Sequence, residues 1–200
     1  MRVDLDRSTG SLRLDDEGFE ALVAGTDATQ EVRADPAVAA ALRAVDTAEV
    51  RVCVDVAGRG LTQTHLAWVT PEAVALLLSV TGHERQLITT APQHLAAAVA
   101  RVVRIGPRKV GERTAVEVDQ DVLEDLFHAD ETRRWSAMTV AGADLAWTLS
   151  ATWDDGERLL SVVDGPSGLQ AVEPDGEGRW RLVPVTGTWV WRRLTTLLPD

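Results

Sequence analysis

The chain has 200 residues, 20 basic against 31 acidic, and a net charge of −11. That length suffices for one sizeable domain or two small ones with a core that needs no disulfide. The acidic balance argues against a phosphate-backbone partner, which requires a Lys/Arg surface, and the single cysteine, Cys53, excludes an internal disulfide or a zinc site of thiolates.

The amino terminus, "MRVDLDRSTG", carries acids where a secretory signal needs an apolar run. No stretch approaches the roughly 20 apolar residues of a membrane span, so the expected location is the cytosol. Residues 11–14 read as a short strand leading into a helix over 16–24, with Phe19, Leu22 and Val23 inward. The stretch 25–34 reads as a polar loop. Asp35-Pro36 is a helix start, an N-cap acceptor followed by proline in the first turn, and Val38, Leu42 and Val45 form that helix's apolar stripe.

A first meander follows. "VRVCVDV" places Val50, Val52, Val54 and Val56 on one face, Ala57–Gly60 turns the chain, and "LTQTHLAWV" returns. "VALLLSV" and "RQLITT" supply two more strands. A helix over Gln93–Ile105 then has Leu95, Val99 and Val102 on one stripe and stops at Gly106-Pro107. The basic joint 107–113 leads to a second series: a strand near 116, helices over 119–129 and 131–138, and a meander from Leu145. There "LAWTLSATW" alternates Leu145, Trp147, Leu149, Ala151 and Trp153 against Ala146, Thr148, Ser150 and Thr152, and Asp154-Asp155-Gly156 makes the hairpin turn. "WVWRRLTTLL" closes the chain as a helix, with Val190, Leu194 and Leu197 or Leu198 at helical spacing.

The two series match. "LRLDDEGFEALV" (Leu12–Val23) lies over "VEVDQDVLEDLF" (Val116–Phe127), pairing Leu12 with Val116, Asp15 with Asp119, Phe19 with Leu123 and Leu22 with Leu126. A repeat of roughly 100 residues is too long for a solenoid. It predicts one α+β domain over 1–200, built from half-repeats 1–106 and 114–200 about a quasi-twofold, with a central antiparallel sheet and helical bundles.

Candidates for chemistry are few. The acidic string Asp119, Asp121, Glu124, Asp125, His128, Asp130 and Glu131 is the best metal candidate, since Glu124 and His128 stand four apart, share a helix face and offer two ligands. Yet the matching stretch 15–23 has the acids without the histidine, and carboxylates in a first turn also complement the helix dipole. His65, His83 and His94 stand in no HExxH arrangement. Ser167, in "GPSG", lacks the GxSxG order and reads as a turn serine. With no nucleophile, base and orienting group in sight, the expectation is a protein without enzymatic activity, metal or cofactor.

The tryptophans carry more. There are seven, with no tyrosine and two phenylalanines. Trp189 and Trp191 stand two apart on the closing helix, roughly 200° around its axis, so a single buried stripe cannot hold both. Together with Arg192 and Arg193 they are residue types enriched at protein–protein hot spots, and these four are the expected protein-binding residues.

On the strings "DPAVAAALRAVDTAEVRVCVDV" (Asp35–Val56), "PQHLAAAVARVVRIGP" (Pro92–Pro107) and "GRWRLVPVTGTWVWRRLTTLLP" (Gly178–Pro199), the chain resembles the EspG family, the cytosolic chaperones of actinobacterial type VII (ESX) secretion. The resemblance implies a non-enzymatic protein that binds a secreted helical client, typically the tip of a PPE protein, and keeps it soluble until export. Two departures stand against it: the sequence is short for the family, and a docking loop of mycobacterial members is here only Ala57–Gly60, so no binding residue carries over from it. Two other classes stay open, a small-ligand carrier and a metal-dependent enzyme using the 119–131 acidic face.

Overall fold

Asp35 accepts hydrogen bonds from the backbone N–H of Ala37 (2.9 Å) and Val38 (3.5 Å), and Pro36 fills the first turn of the helix that follows. The cap read from the sequence is therefore in place, and most boundaries follow the same local logic. The computed structural model describes residues 1–6, 8–26, 29–106 and 114–197; the expected joint 107–113 and Leu198 lie outside them. The fold is α+β, with eleven strands of a large antiparallel sheet and seven α-helices among the described residues. Two compact units divide the chain: Met1–Cys53, Thr64–Leu95 and Ala151–Glu157 form the first, and Val54–Gln63, Ala96–Ser150 and Arg158–Asp200 the second.

In the first unit β1 (Val3–Asp6) pairs with β2 (Ser11–Leu14), β2 with β6 (Glu84–Thr90), β6 with β5 (Val74–Thr81) and β5 with β4 (Leu61–Val69), all antiparallel. Helix α1 (Asp16–Ala24) is capped by Asp15, which accepts from the Gly18 N–H at 2.7 Å. A Cβ at Gly18 would lie 2.3 Å from the Arg2 carbonyl, so only glycine lets the amino-terminal strand pass this close. The expected loop at 25–34 contains a one-turn helix, α2 (Gln30–Arg33), tied back by the Arg33 guanidinium donating to the Leu22 carbonyl. Helix α3 (Pro36–Thr47) buries Val38, Ala41 and Ala44, while Leu42 and Val45 are only partly buried. The stripe is thus turned toward the alanines, whose small side chains let the helix backbone lie close against β5 and β6.

Strand β3 (Val50–Gly58) buries Val50, Val52, Val54 and Val56 as the alternation predicts, but runs on through Gly58, so the turn is only Arg59-Gly60. The helix expected over Gln93–Ile105 opens with a 3₁₀ turn at Pro92–His94 and continues as α4 (Leu95–Val102). Its buried stripe ends on Val103 instead of Val102.

In the second unit β7 (Val116–Val118) pairs with β11 (Trp180–Val185), β11 with β10 (Gly168–Pro174) and β10 with β9 (Gly156–Gly165). Strand β8 (Leu145–Trp153) buries Trp147, Leu149 and Ala151 on one face and Ala146 on the other. Helix α5 (Gln120–Asp125) is shorter than expected, because Asp130 turns away to cap α6 (Glu131–Ala141), accepting from the Arg133 N–H at 3.0 Å. His128 is therefore off the helix that carries Glu124. Helix α6 outruns its expected end at 138 and stops at Gly142, which takes the left-handed conformation (φ 63°). Helix α7 (Gly187–Thr195) closes the chain.

The two ladders share one register. Leu12↔Leu87 and Leu14↔Arg85 in the first unit answer to Val116↔Leu182 and Val118↔Trp180 in the second. Leu77↔Leu87 and Ser79↔Arg85 answer to Val172↔Leu182 and Pro174↔Trp180. Trp68↔Ala75 answers to Val163↔Gln170. Each unit also has its own core: Leu12, Leu14, Leu22, Ala41 and Leu87 in the first, and Leu126, Met138, Ala141, Val163 and Leu182 in the second. Burial of each leucine, valine or methionine among them contributes about 1.5–3 kcal/mol, and each alanine less.

Candidate interaction surface

Helix α7 is anchored before it is displayed. The Thr186 hydroxyl accepts from the Trp189 N–H at 3.1 Å, and Val190, Leu194 and Leu197 are buried. Arg192 and Arg193 lie in its last turn, where cations oppose the partial negative charge of the helix end.

The four expected binding residues divide into two pairs. Trp189 is half-buried, with the Arg193 guanidinium 5.1 Å from its ring centroid. These two line a cavity of about 600 Å³ with Leu160, Ala171, Thr196 and Leu197. Trp191 is 42% exposed and Arg192 is exposed, on a different side of the helix. One tryptophan half-buried at an edge and one facing solvent is what their spacing predicts.

Another exposed tryptophan escaped the sequence reading. Trp135 on α6 is 49% exposed, with Arg59 5.5 Å from its ring centroid. The short Ala57–Gly60 connection is held nearby, since the buried Arg134 guanidinium donates to the carbonyls of Gly58 (3.2 Å) and His128 (2.8 Å). A second cavity, about 440 Å³, opens beside α5 and is lined by Leu123, Phe127, Leu159, Val172 and Trp180 among others.

Several of the residues weighed for chemistry are engaged with their own protein. Asp125 pairs with Arg133 at 2.5 Å, Glu124 accepts from the Gln120 amide at 2.8 Å, and His128 Nδ1 accepts from the Asp130 N–H at 3.0 Å. The Arg133 N–H holds the Asp130 carboxyl below the usual aspartate range. No group of three His, Cys, Asp or Glu is placed to hold a metal among the described residues. His65 is buried with Nδ1 accepting from the Ser79 N–H at 3.1 Å, His83 is exposed beside Asp16, and Ser167 sits in the β9–β10 turn. Cys53 is half-buried within β3.

Among solved structures, the chain matches that of the Mycobacterium tuberculosis type VII secretion system chaperone EspG5 in complex with the PE25–PPE41 dimer, with a TM-score of 0.59 over 94% of this chain and 97% of that one. The fold is EspG-like. Sequence identity to the EspG5 structure is 16%, so the likeness resides in the arrangement of elements. No protein-family model matches the chain, and no curated protein matches it by sequence. Among the described residues of this EspG-like chain, no helix is long and apolar enough to cross a membrane.

Proposed function

We propose that the protein is a non-enzymatic cytosolic chaperone or adaptor that binds a type VII (ESX) secretion substrate, such as a PPE-like helical protein, and keeps it soluble before export. The observation that carries this reading is the EspG-like fold over 94% of the chain, set beside a solved EspG5 structure that includes a PE25–PPE41 dimer. The client surface is the outer side of α7, with Trp191 and Arg192 exposed and the Trp189–Arg193 stack at its edge. Tryptophan and arginine provide large contact area together with charge-assisted hydrogen bonds, which suits a helical client with an acidic rim.

Supporting the non-enzymatic reading, Asp130 of the acidic 119–131 stretch caps α6 and Asp125 pairs with Arg133. A small-ligand carrier calls for an enclosed pocket, whereas the cavity beside α5 opens at Leu159, which is 63% exposed. We infer also that half-repeats 1–106 and 114–200 derive from one design used twice, a reading that the shared strand register supports.

The test is co-purification of the tagged chain with a protein encoded beside it. A helical partner retained by the wild type and lost by a folded Trp191→Asp variant supports the chaperone reading. Turnover of a substrate by the purified chain would sink it.

A further inference from the structure

The trough beside α5 has a counterpart in the first unit, and there it is filled. By the shared register, Leu66, Trp68 and Leu77 correspond to Ser161, Val163 and Val172, and the helix match pairs Phe19 with Leu123. In the first unit Phe19 and Trp68 stack against one another, with ring centroids 5.7 Å apart, and pack with Leu66 on the core. In the second unit the corresponding Leu123, Ser161 and Val163 are smaller, and all three line the 440 Å³ trough.

The rim repeats the contrast. Arg85 closes the first unit's site, donating to Asp16 (2.8 Å), to the Thr64 carbonyl (3.1 Å) and to the Ser79 hydroxyl. Counting along the matched elements, these four positions become Trp180, Gln120, Leu159 and Pro174, and all four line the trough. None of them can rebuild an arginine strap. Where one unit has aromatic rings beside a charged clasp, the other has an unfilled, largely apolar recess whose rim holds Trp180, Leu159 and Pro174 with Gln120. Within it, the paired hydroxyls of Thr148 and Ser161 satisfy each other.

We propose that this recess is a socket for one aromatic side chain presented by a protein partner, taking the place that the Trp68 and Phe19 rings fill in the first unit. The internal counterpart sets the occupant's chemistry: at Leu123, Ser161 and Val163 the volume lost is that of two aromatic rings and a leucine, while Phe127 and Trp180, which stand where the first unit has Val23 and Arg85, leave an aromatic wall for a ring to pack against. The open mouth at Leu159 favours a side chain over a free molecule, since a partner covers the outer face of the ring that a free molecule would leave in water. The proposal extends the client-binding reading to a second site, distinct from the outer side of α7.

The experiment is an NMR titration of the full chain, following the methyl groups of Leu123 and Leu159 and the indole N–H of Trp180. The probes are N-acetyl-tryptophanamide and a short helical peptide carrying one tryptophan. Two variants block the socket. One installs the first unit's filling residues (Leu123→Phe, Ser161→Leu, Val163→Trp), and the other its clasp (Gln120→Asp, Pro174→Ser, Trp180→Arg) at the rim, where folding is less exposed to the change.

The expected result is saturable shifts confined to the trough with both probes, the peptide binding more tightly, and affinity about tenfold weaker or worse in either folded variant. No saturable shift in the wild type overturns the proposal, as does binding retained in a folded blocked variant. Tighter binding of the free amide than of the peptide assigns the site to a small molecule, and saturation by octanoate alone excludes an aromatic occupant. Trough shifts that grow with protein concentration without a probe assign it to a second copy of the chain. A client lost on Trp191→Asp but kept by both blocked variants leaves the chaperone reading standing and removes this one.

Discussion

Glu117 pairs with Arg179 at 3.4 Å in the second unit, with the charges in the opposite order from Arg13 and Glu84, which stand 3.9 Å apart at the corresponding positions of the first. Arg179 is also bonded to Asp175 and Glu177, so it organises the turn before β11. Both partners of the Glu117 pair are more than half exposed, and such pairs contribute about 0–1 kcal/mol. Glu117→Gln is expected to cost no more than that by urea denaturation, and the loss should shrink in high salt. Arg179→Gln should cost more, because it also releases the turn.

Trp191 and Val190 are neighbours in sequence with opposite expected phenotypes. Trp191 is 42% exposed, and Trp191→Asp should leave the melting temperature nearly unchanged while abolishing partner capture. Val190 is fully buried, and Val190→Asp should unfold the protein, since a carboxylate without a partner cannot be accommodated there. Circular dichroism melts run beside the capture assay separate the two effects.

Helix caps contribute to the acid limit, as do the turn carboxyls of Asp6 and Asp175, which hydrogen bonds from Ser8 and Glu177 also hold below the usual aspartate range. Backbone N–H groups, from Arg2 and then Gly18 for Asp15 and from Arg133 for Asp130, hold both carboxyls below the usual aspartate range. A depressed folded value means that the contribution is present above the unfolded value of about 4 and is lost as the pH falls through the lower folded one. The melting temperature should therefore decline below about pH 4. Asp15→Asn with Asp130→Asn keeps the cap acceptors and should make that decline shallower, Asp6 and Asp175 supplying the rest. For the corresponding start of α3, Asp35→Ala should cost about 1 kcal/mol.

Gly165 lies against the turn that ends α6. A Cβ there would stand 2.1 Å from the Gly142 carbonyl oxygen, a backbone atom that cannot swing aside. Gly165→Ala is expected to destabilise by roughly 1–3 kcal/mol, read as a lower urea midpoint.

Divalent ions should leave the protein indifferent. Magnesium, manganese or zinc is expected to cause no rise in melting temperature, because binding the native state would have to stabilise it and Glu124, Asp125 and Asp130 already have partners within the protein. A reproducible rise, lost on Glu124→Gln, would restore the metal reading.

Much of the fold was legible because the signals were local. The alternating valines of β3, the Asp35-Pro36 cap and the 200° offset of Trp189 and Trp191 each depend on residues a few positions apart. Strand pairing is different in kind. That Leu14 stands opposite Arg85, and Val118 opposite Trp180, follows from long-range hydrogen bonding that no local window contains. Without that register the exchange of Arg85 for Trp180, or of Trp68 for Val163, cannot be seen, and Leu159 reads as an ordinary strand residue. The trough is for this reason absent from the sequence reading, although its ingredients are all in the string.

The amino-acid order alone determined most strand and helix types, though not β1 or α2, and the division of the α7 tryptophans, because these rest on backbone periodicity and turn chemistry. Only the tertiary structure decided which stripe of α3 is buried, where α5 ends, and that the second unit leaves a recess where the first is filled. Those outcomes depend on side-chain volume and hydrogen bonds between residues far apart in the chain, and packing sets them once strands have chosen their neighbours.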